Sequence, residues 1–253
     1  MKLVVRTLLA AALTLSMSSA AMATFSGQVW IPSTDAKGFK EVNISIDNYI
    51  RLSNSDTAGT NYYDAGVTAG VSPLEKFKFE VGVDYYTDNL NDSNSIYSAH
   101  PIYFNFKGAV PEDAFFKGMP AVAAGMFGIG TFDRGVTGGN TMSNIAYGLV
   151  AKTLPVVGRI SVGGYHGAEK NLGSDNAGVL ASWDRPMTEI SDKLWMAVDY
   201  MGGNNAFGAI SVGAAWAFTP NVSLLVGTNV YNPGQEGLPG GKPTITTQLD
   251  INF

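Results

Sequence analysis

The chain has 253 residues, 45% of them hydrophobic and only 15% charged, with 30 glycines, 11 tyrosines and 13 phenylalanines. So few charges argue against an ordinary soluble domain, yet polar residues interrupt the apolar runs too often for membrane-crossing helices, which need about 20 apolar residues in a row. Cysteine is absent and the formal net charge is −5 with no concentrated basic patch, which excludes disulfide staples, a lipid on cysteine and nucleic-acid binding.

Residues 1–23 carry the three-part pattern of a secretory signal peptide. Lys2 and Arg6 supply the basic start, Leu8, Leu9, Leu13 and Leu15 the apolar stretch, and Ala21-Met22-Ala23 a small-x-small cleavage site before Thr24. The stretch is too short to span about 30 Å of hydrocarbon as a helix, so cleavage is expected, with a mature chain two units more negative. Residues 24–40 contain Phe25, Val29, Trp30, Ile31 and Phe39, too apolar for a loose tail. They are expected as either a lumen plug or an extra strand.

Beyond residue 41 the hydrophobicity repeats every second position, the strand period. Twelve such segments lie near 42–52, 62–71, 76–87, 96–107, 119–130, 143–153, 156–166, 176–185, 193–202, 206–218, 221–231 and 243–253. In the first, Val42, Ile44, Ile46 and Ile50 oppose Asn43, Ser45, Asp47, Tyr49 and Arg51. In the third, Phe77, Phe79, Val81, Val83 and Tyr85 oppose Lys78, Glu80, Gly82, Asp84 and Tyr86. The fifth is nearly all small and apolar, and its faces stay open. In the last, Ile245, Thr247, Leu249, Ile251 and Phe253 oppose Thr244, Thr246, Gln248, Asp250 and Asn252. A one-residue slip would exchange those faces and set Asp250 against lipid, at roughly 1–4 kcal/mol.

The expected fold class is therefore all-β: a transmembrane antiparallel up-and-down β-barrel of about 12 strands over residues 41–253. A soluble sandwich also alternates, but it does not need strands of about ten residues, the length a bilayer asks of tilted strands. With Phe253 in the periplasm, 88–95, 131–142, 167–175 and 232–242 become outer loops, while 72–75, 153–155 and 219–221 become short periplasmic turns, as barrels prefer. The connections 108–117 and 185–192 are long for that side, and a proline followed by acids suggests a short helical turn in each. Phe104, Phe106, Trp216, Phe218 and Phe253 are expected at one rim and Tyr63, Tyr85 and Tyr200 toward the other, as aromatic girdles.

The segment Thr246-Thr247-Gln248-Leu249-Asp250-Ile251-Asn252-Phe253 resembles the C-terminal signal of bacterial outer-membrane proteins, alternating apolar residues that end in an aromatic. The resemblance implies a Gram-negative outer-membrane barrel, read by the barrel-assembly machinery through its C-terminal strand and surrounded by outer-membrane lipids. Barrels of twelve strands include channels for acidic oligosaccharides, nucleoside channels and a phospholipase, and architecture does not choose among them.

The polar faces supply lumen-lining candidates: Asp47, Asp64, Glu80, Asp84, Asp184, Asp199 and Asp250 among the acids, Arg51, Lys78, Lys107, Lys152 and Arg159 among the bases. A lining so mixed reads as a porin or channel for passive diffusion of small polar or ionic solutes, weakly selective or slightly cation-favouring. The alternative is a structural or adhesive barrel, closed by its own ion pairs, whose loops act outside the cell. Inward glycines (Gly66, Gly70, Gly82, Gly148, Gly163, Gly213, Gly227) leave space. Inward Tyr49, Tyr86, Tyr103, Tyr165, Trp195 and Tyr231 either stack on sugar or base rings or pack the barrel. No enzyme is expected, since His100, before Pro101, and His166, before Gly167, lack the neighbours of barrel hydrolases. Neither a cofactor nor a metal site is indicated.

Overall fold

A computed structural model describes residues 26–53, 60–88, 95–134, 139–233 and 241–253. The expected leader and its cleavage point before Thr24 lie outside the described residues. Twelve strands follow in chain order: β1 (Val42–Arg51), β2 (Tyr62–Gly70), β3 (Lys78–Thr87), β4 (Ile102–Val110), β5 (Ala121–Gly130), β6 (Ile145–Leu154), β7 (Gly158–His166), β8 (Ala177–Pro186), β9 (Leu194–Met201), β10 (Ala209–Thr219), β11 (Val222–Tyr231) and β12 (Thr244–Asn252). Each pairs antiparallel with its neighbours in sequence, and β12 returns to β1, so the sheet closes into a barrel. Closure leaves no strand edge exposed.

The closing seam shows why the register is fixed. Ile46 faces Leu249 and Asp47 faces Gln248 across β1 and β12. Ile46 is exposed to the outside, while Asp47, Gln248 and Asp250 are buried within. The same alternation runs round the barrel, with Val81, Val83 and Tyr85 outward on β3 and Glu80 and Asp84 inward. The two ends differ. One carries the entry into β1 at Lys40, Phe253 and the connections 71–77, 111–120, 155–157, 187–193 and 220–221; the other carries the longer loops. Trp216, Phe218 and Phe253 are exposed at the terminal end, and Tyr85 and Tyr200 at the loop end.

Three expectations change. The fourth strand begins at Ile102, and the 96–99 part of the expected segment is instead a single helical turn, α1 (Ile96–Ala99). The Ser95 side chain accepts the N–H groups of Tyr97 and Ser98, the standard satisfaction of a helix start, while Asp88 accepts the hydroxyls of Ser95 and Ser98. Phe104 and Phe106 consequently pair with Val83 and Val81 in mid-strand, not at a rim. The connection 111–120 forms hydrogen-bonded turns and no helical turn, whereas in 187–193 the N–H groups of Ile190 and Ser191 both donate to the Met187 carbonyl, the single helical turn expected there. A second short helix, α2 (Glu169–Leu172), lies in a loop-end connection.

The open faces of β5 are settled by a bulge. Phe104 pairs with Ile129 and Phe106 with Met126, so two residues of β5 oppose Asn105. Gly128 absorbs the extra residue at φ +62, a left-handed conformation suited to glycine in a bulge. Ala121, Ala123 and Phe127 are thereby buried on the inside.

Val162, in mid-β7, is 56% exposed on the outward face. Val162→Arg should destabilise the barrel in lipid vesicles by about 2–4 kcal/mol, read from urea unfolding curves; unchanged stability would contradict a lipid-facing position.

Candidate functional site

The inside of the barrel is organised by its N-terminal segment. Residues 26–33 fold back on themselves: Gln28 N–H donates to the Ile31 carbonyl at 2.7 Å, and Ser33 donates to the Ser26 carbonyl through its N–H at 3.1 Å and its hydroxyl at 2.9 Å. The turn presents an apolar tip, Val29-Trp30-Ile31, with Val29 and Ile31 fully buried among inward residues of the strands. From there the chain runs to the terminal end, where Lys40 N–H donates to the Gly70 carbonyl before β1 begins.

Lumenal carboxylates hold this segment. Asp199 on β9 accepts the N–H groups of Val29 at 2.7 Å and Trp30 at 2.8 Å, and Gln248 on β12 donates to the Val29 carbonyl at 2.8 Å. Glu80 on β3 accepts the Ser26 N–H, the Ser26 hydroxyl and the Lys37 N–H at 3.0, 2.8 and 2.8 Å. Lys107 on β4 completes that cluster, 3.0 Å from Glu80 with both side chains 0% exposed, and donates to the carbonyls of Ser26 and Asp35. Arg159 on β7 bridges Asp35 of the segment at 2.7 Å and Asp184 of β8 at 2.8 Å. Asp184 also accepts from Gln28 and from the Trp195 indole.

The apolar tip has its own sockets. Ile31 joins Phe127, Ile145, Tyr147, Leu149 and Leu180 in one cluster, and Val29 joins Trp195, Ala197, Ala215 and Leu225 in another. Gly213 and Gly227 face each other across β10 and β11. A Cβ on Gly213 would lie 2.9 Å from a Val29 methyl, and one on Gly227 would lie 3.1 Å from the other, so the space left by the two glycines is filled by Val29.

The structure brings together, on inward positions, eleven of the twelve residues singled out from sequence. Glu80, Lys107, Arg159, Asp184 and Asp199 anchor the segment. Asp47, Asp64, Asp84 and Asp250 lie on β1, β2, β3 and β12; Asp47 and Asp64 are direct cross-strand partners. Asp84 accepts from Asn105 at 2.7 Å and Asp250 from Asn43 at 3.2 Å. Asp47 is 1% exposed, with neither a hydrogen bond nor an ion pair to its carboxylate among the described residues. Arg51 sits at the loop end, donating to the carbonyls of Thr60 and Lys242, and Lys78 lies at the terminal end opposite Ala109.

Lys152 is the exception. It pairs with the exposed Ile160, and its ammonium meets Glu112 at 2.6 Å and Asp113 at 3.6 Å in the connection 111–120. Gly148 shares that outward side. The reason is that β6 turns Ile145, Tyr147 and Leu149 inward to receive Ile31, which inverts the expected assignment of its faces. The residues missed from sequence are these apolar sockets, whose signal was indistinguishable from a lipid-facing stripe.

Above the segment, toward the loop end, lies a cavity of about 160 Å³. Trp30 is part of its lining, with Tyr49 and Tyr231 edge-on at 5.2 and 5.9 Å. Tyr62 and Tyr86 stack at 5.3 Å on another side, beside Asp64 and Asp84. Tyr97 on α1 also lines it; burial, then Asp88, pushes its hydroxyl pKa up, so it is neutral at pH 7. His100 stacks on Phe132 at 3.6 Å and His166 lies 3.5 Å from the Asn176 amide. Among the described residues no group of three His, Asp or Glu could hold a metal ion.

The same barrel occurs in solved structures. An outer-membrane channel from Pseudomonas putida F1 superposes with a TM-score of 0.50 at 9% identity, over 87% of this chain and 97% of that one. The KdgM porin in complex with disordered oligogalacturonate gives 0.46 at 7% identity, over 83% of this chain and 96% of its own. The chain thus has the closed-barrel fold of outer-membrane channels. No family model matches it, and no curated protein does.

Removing one partner of a buried ion pair costs about 3–5 kcal/mol, whereas replacing both is far milder. Lys107→Met should therefore lower the guanidinium unfolding midpoint in micelles markedly, and Glu80→Gln with Lys107→Met should recover much of the loss. A double variant as unstable as the single one would show that the pair is not the anchor.

Proposed function

We propose that this protein is an outer-membrane channel for passive diffusion of small polar or ionic solutes, with a preference for cations, whose path is narrowed by the lumen-seated N-terminal segment. The leader-like pattern of residues 1–23, the C-terminal strand ending in Phe253 and the outward apolar band support secretion to, and residence in, the outer membrane. Barrel-assembly machinery and outer-membrane lipids are the partners this location entails.

One observation carries the reading: the inner charges divide into two sets. Glu80 with Lys107, and Asp184 with Arg159 and Asp35, neutralise one another around the segment. The other wall presents Asp47, Asp64, Asp84 and Asp250 on four adjacent strands. A buried carboxylate without a partner, as at Asp47, is costly, and water or a passing cation offsets that cost. That wall is acidic in excess, four aspartates against Arg51 at its loop end and Lys78 at its terminal end, and a net negative lining raises the local concentration of cations.

A second reading has its own support. The fully buried Glu80–Lys107 pair and the apolar clusters around Val29 and Ile31 make this lumen a packed interior, as in a structural barrel that acts through its loops. Small barrels are filled by side chains in this way.

Planar-bilayer recording separates the two. Deletion of residues 27–37 should raise single-channel conductance several-fold, with a reversal potential in a salt gradient that reports cation preference. Asp47→Asn with Asp64→Asn in that background should reduce the preference. No stable open level with or without the segment would favour the filled structural barrel.

A further inference from the structure

The cavity above Trp30 combines two features that recognise one kind of ligand. Its walls are aromatic, and two carboxylates, Asp64 and Asp84, share the same lining. We infer that it binds a small organic ammonium ion, with methylated nitrogen against the rings and positive charge balanced by the two aspartates. The inference extends the channel reading by naming a solute class held at the loop-end mouth.

Ring faces carry negative charge density and attract a cation within about 6 Å of the centroid. The attraction operates in the same place: the Arg51 guanidinium lies 5.4 Å from the centre of Tyr62 and 5.0 Å from that of Tyr231. These two rings already hold a cation, so Trp30, Tyr49, Tyr86 and Tyr97 of the lining are left for the ligand's nitrogen. Tyr62 and Tyr231 also line the cavity. The polygon of rings is built by elements that hold it rigid. Tyr86 stacks on Tyr62 and is met edge-on by Tyr103 at 5.7 Å and by Tyr97 at 6.1 Å. Trp30 is fixed by its indole N–H, which donates to the Phe207 carbonyl at 2.7 Å.

Size narrows the ligand further. A dry cavity of about 150 Å³ accommodates benzene, so about 160 Å³ suits a trimethylammonium group. A flat uncharged ring would gain from the aromatic walls but not from Asp64 and Asp84. Charge is what discriminates.

The test compares choline with its uncharged carbon isostere, 3,3-dimethylbutan-1-ol, by titration calorimetry on the refolded mature chain in detergent. Choline should bind about ten-fold or more tightly than the isostere. Asp64→Asn with Asp84→Asn, and separately Tyr86→Leu, should each weaken choline binding by a similar factor while the heat-modifiable gel shift of the folded barrel persists. Equal affinity for choline and the isostere, no choline binding at millimolar concentration, or binding indifferent to both variants would overturn the inference. Conductance plays no part in this measurement. Choline binding to a barrel that never conducts would refute the channel reading alone, and conduction without choline binding would refute the ammonium site alone.

Discussion

A carboxylate inside a barrel gains from every hydrogen bond or charge it meets, and at Glu80 and Asp199 main-chain amides of the N-terminal segment supply the bonds. Glu80 and Asp199 between them take the N–H groups of Ser26, Lys37, Val29 and Trp30. Those amides belong to a stretch with no strand to pair with, so they too would lack partners inside the lumen. Each side therefore satisfies a need the other creates. The route of the segment follows from where the strands place their acids: Glu80 and Lys107 near its start, Asp184 and Arg159 in its middle, Asp199 at its tip.

Polar satisfaction sets the route, but apolar burial supplies much of the net grip. A hydrogen bond inside the lumen replaces one to water and nets about 0.5–1.5 kcal/mol, whereas burying Val29 or Ile31 is worth about 1.5–3 kcal/mol each. The glycine pair Gly213 and Gly227 and the pocket around Ile145 and Leu149 are shaped to that tip. Without the segment these surfaces would face water as apolar patches inside a polar tube.

This dependence explains how far the sequence could be read. A two-residue period with lipid on one side is a strong signal, so the closed twelve-strand barrel, the inward Asp250 and the outward Ile245 were all legible. Strand limits were legible except where local chemistry intervened: the Ser95 cap makes a helical turn that continues the alternating pattern toward β4. The inner lining was legible as charge but not as role. Reading polar as inside and apolar as outside assumes a wet lumen, and β6 breaks the assumption because Ile31 makes its apolar face the inner one, sending Lys152 outward. The anchoring role of Glu80 or Asp199 was invisible because their partners are main-chain amides, which leave no mark on side-chain patterning.

Trp30 joins the two halves of the interior. Its N–H is held by Asp199 beneath, and its ring closes the aromatic cavity above. The segment therefore supplies part of the cavity wall as well as the contacts that fix it: Val29, Trp30 and Ile31 are all in the lining, so the cavity owes its shape to the segment as much as to the strands.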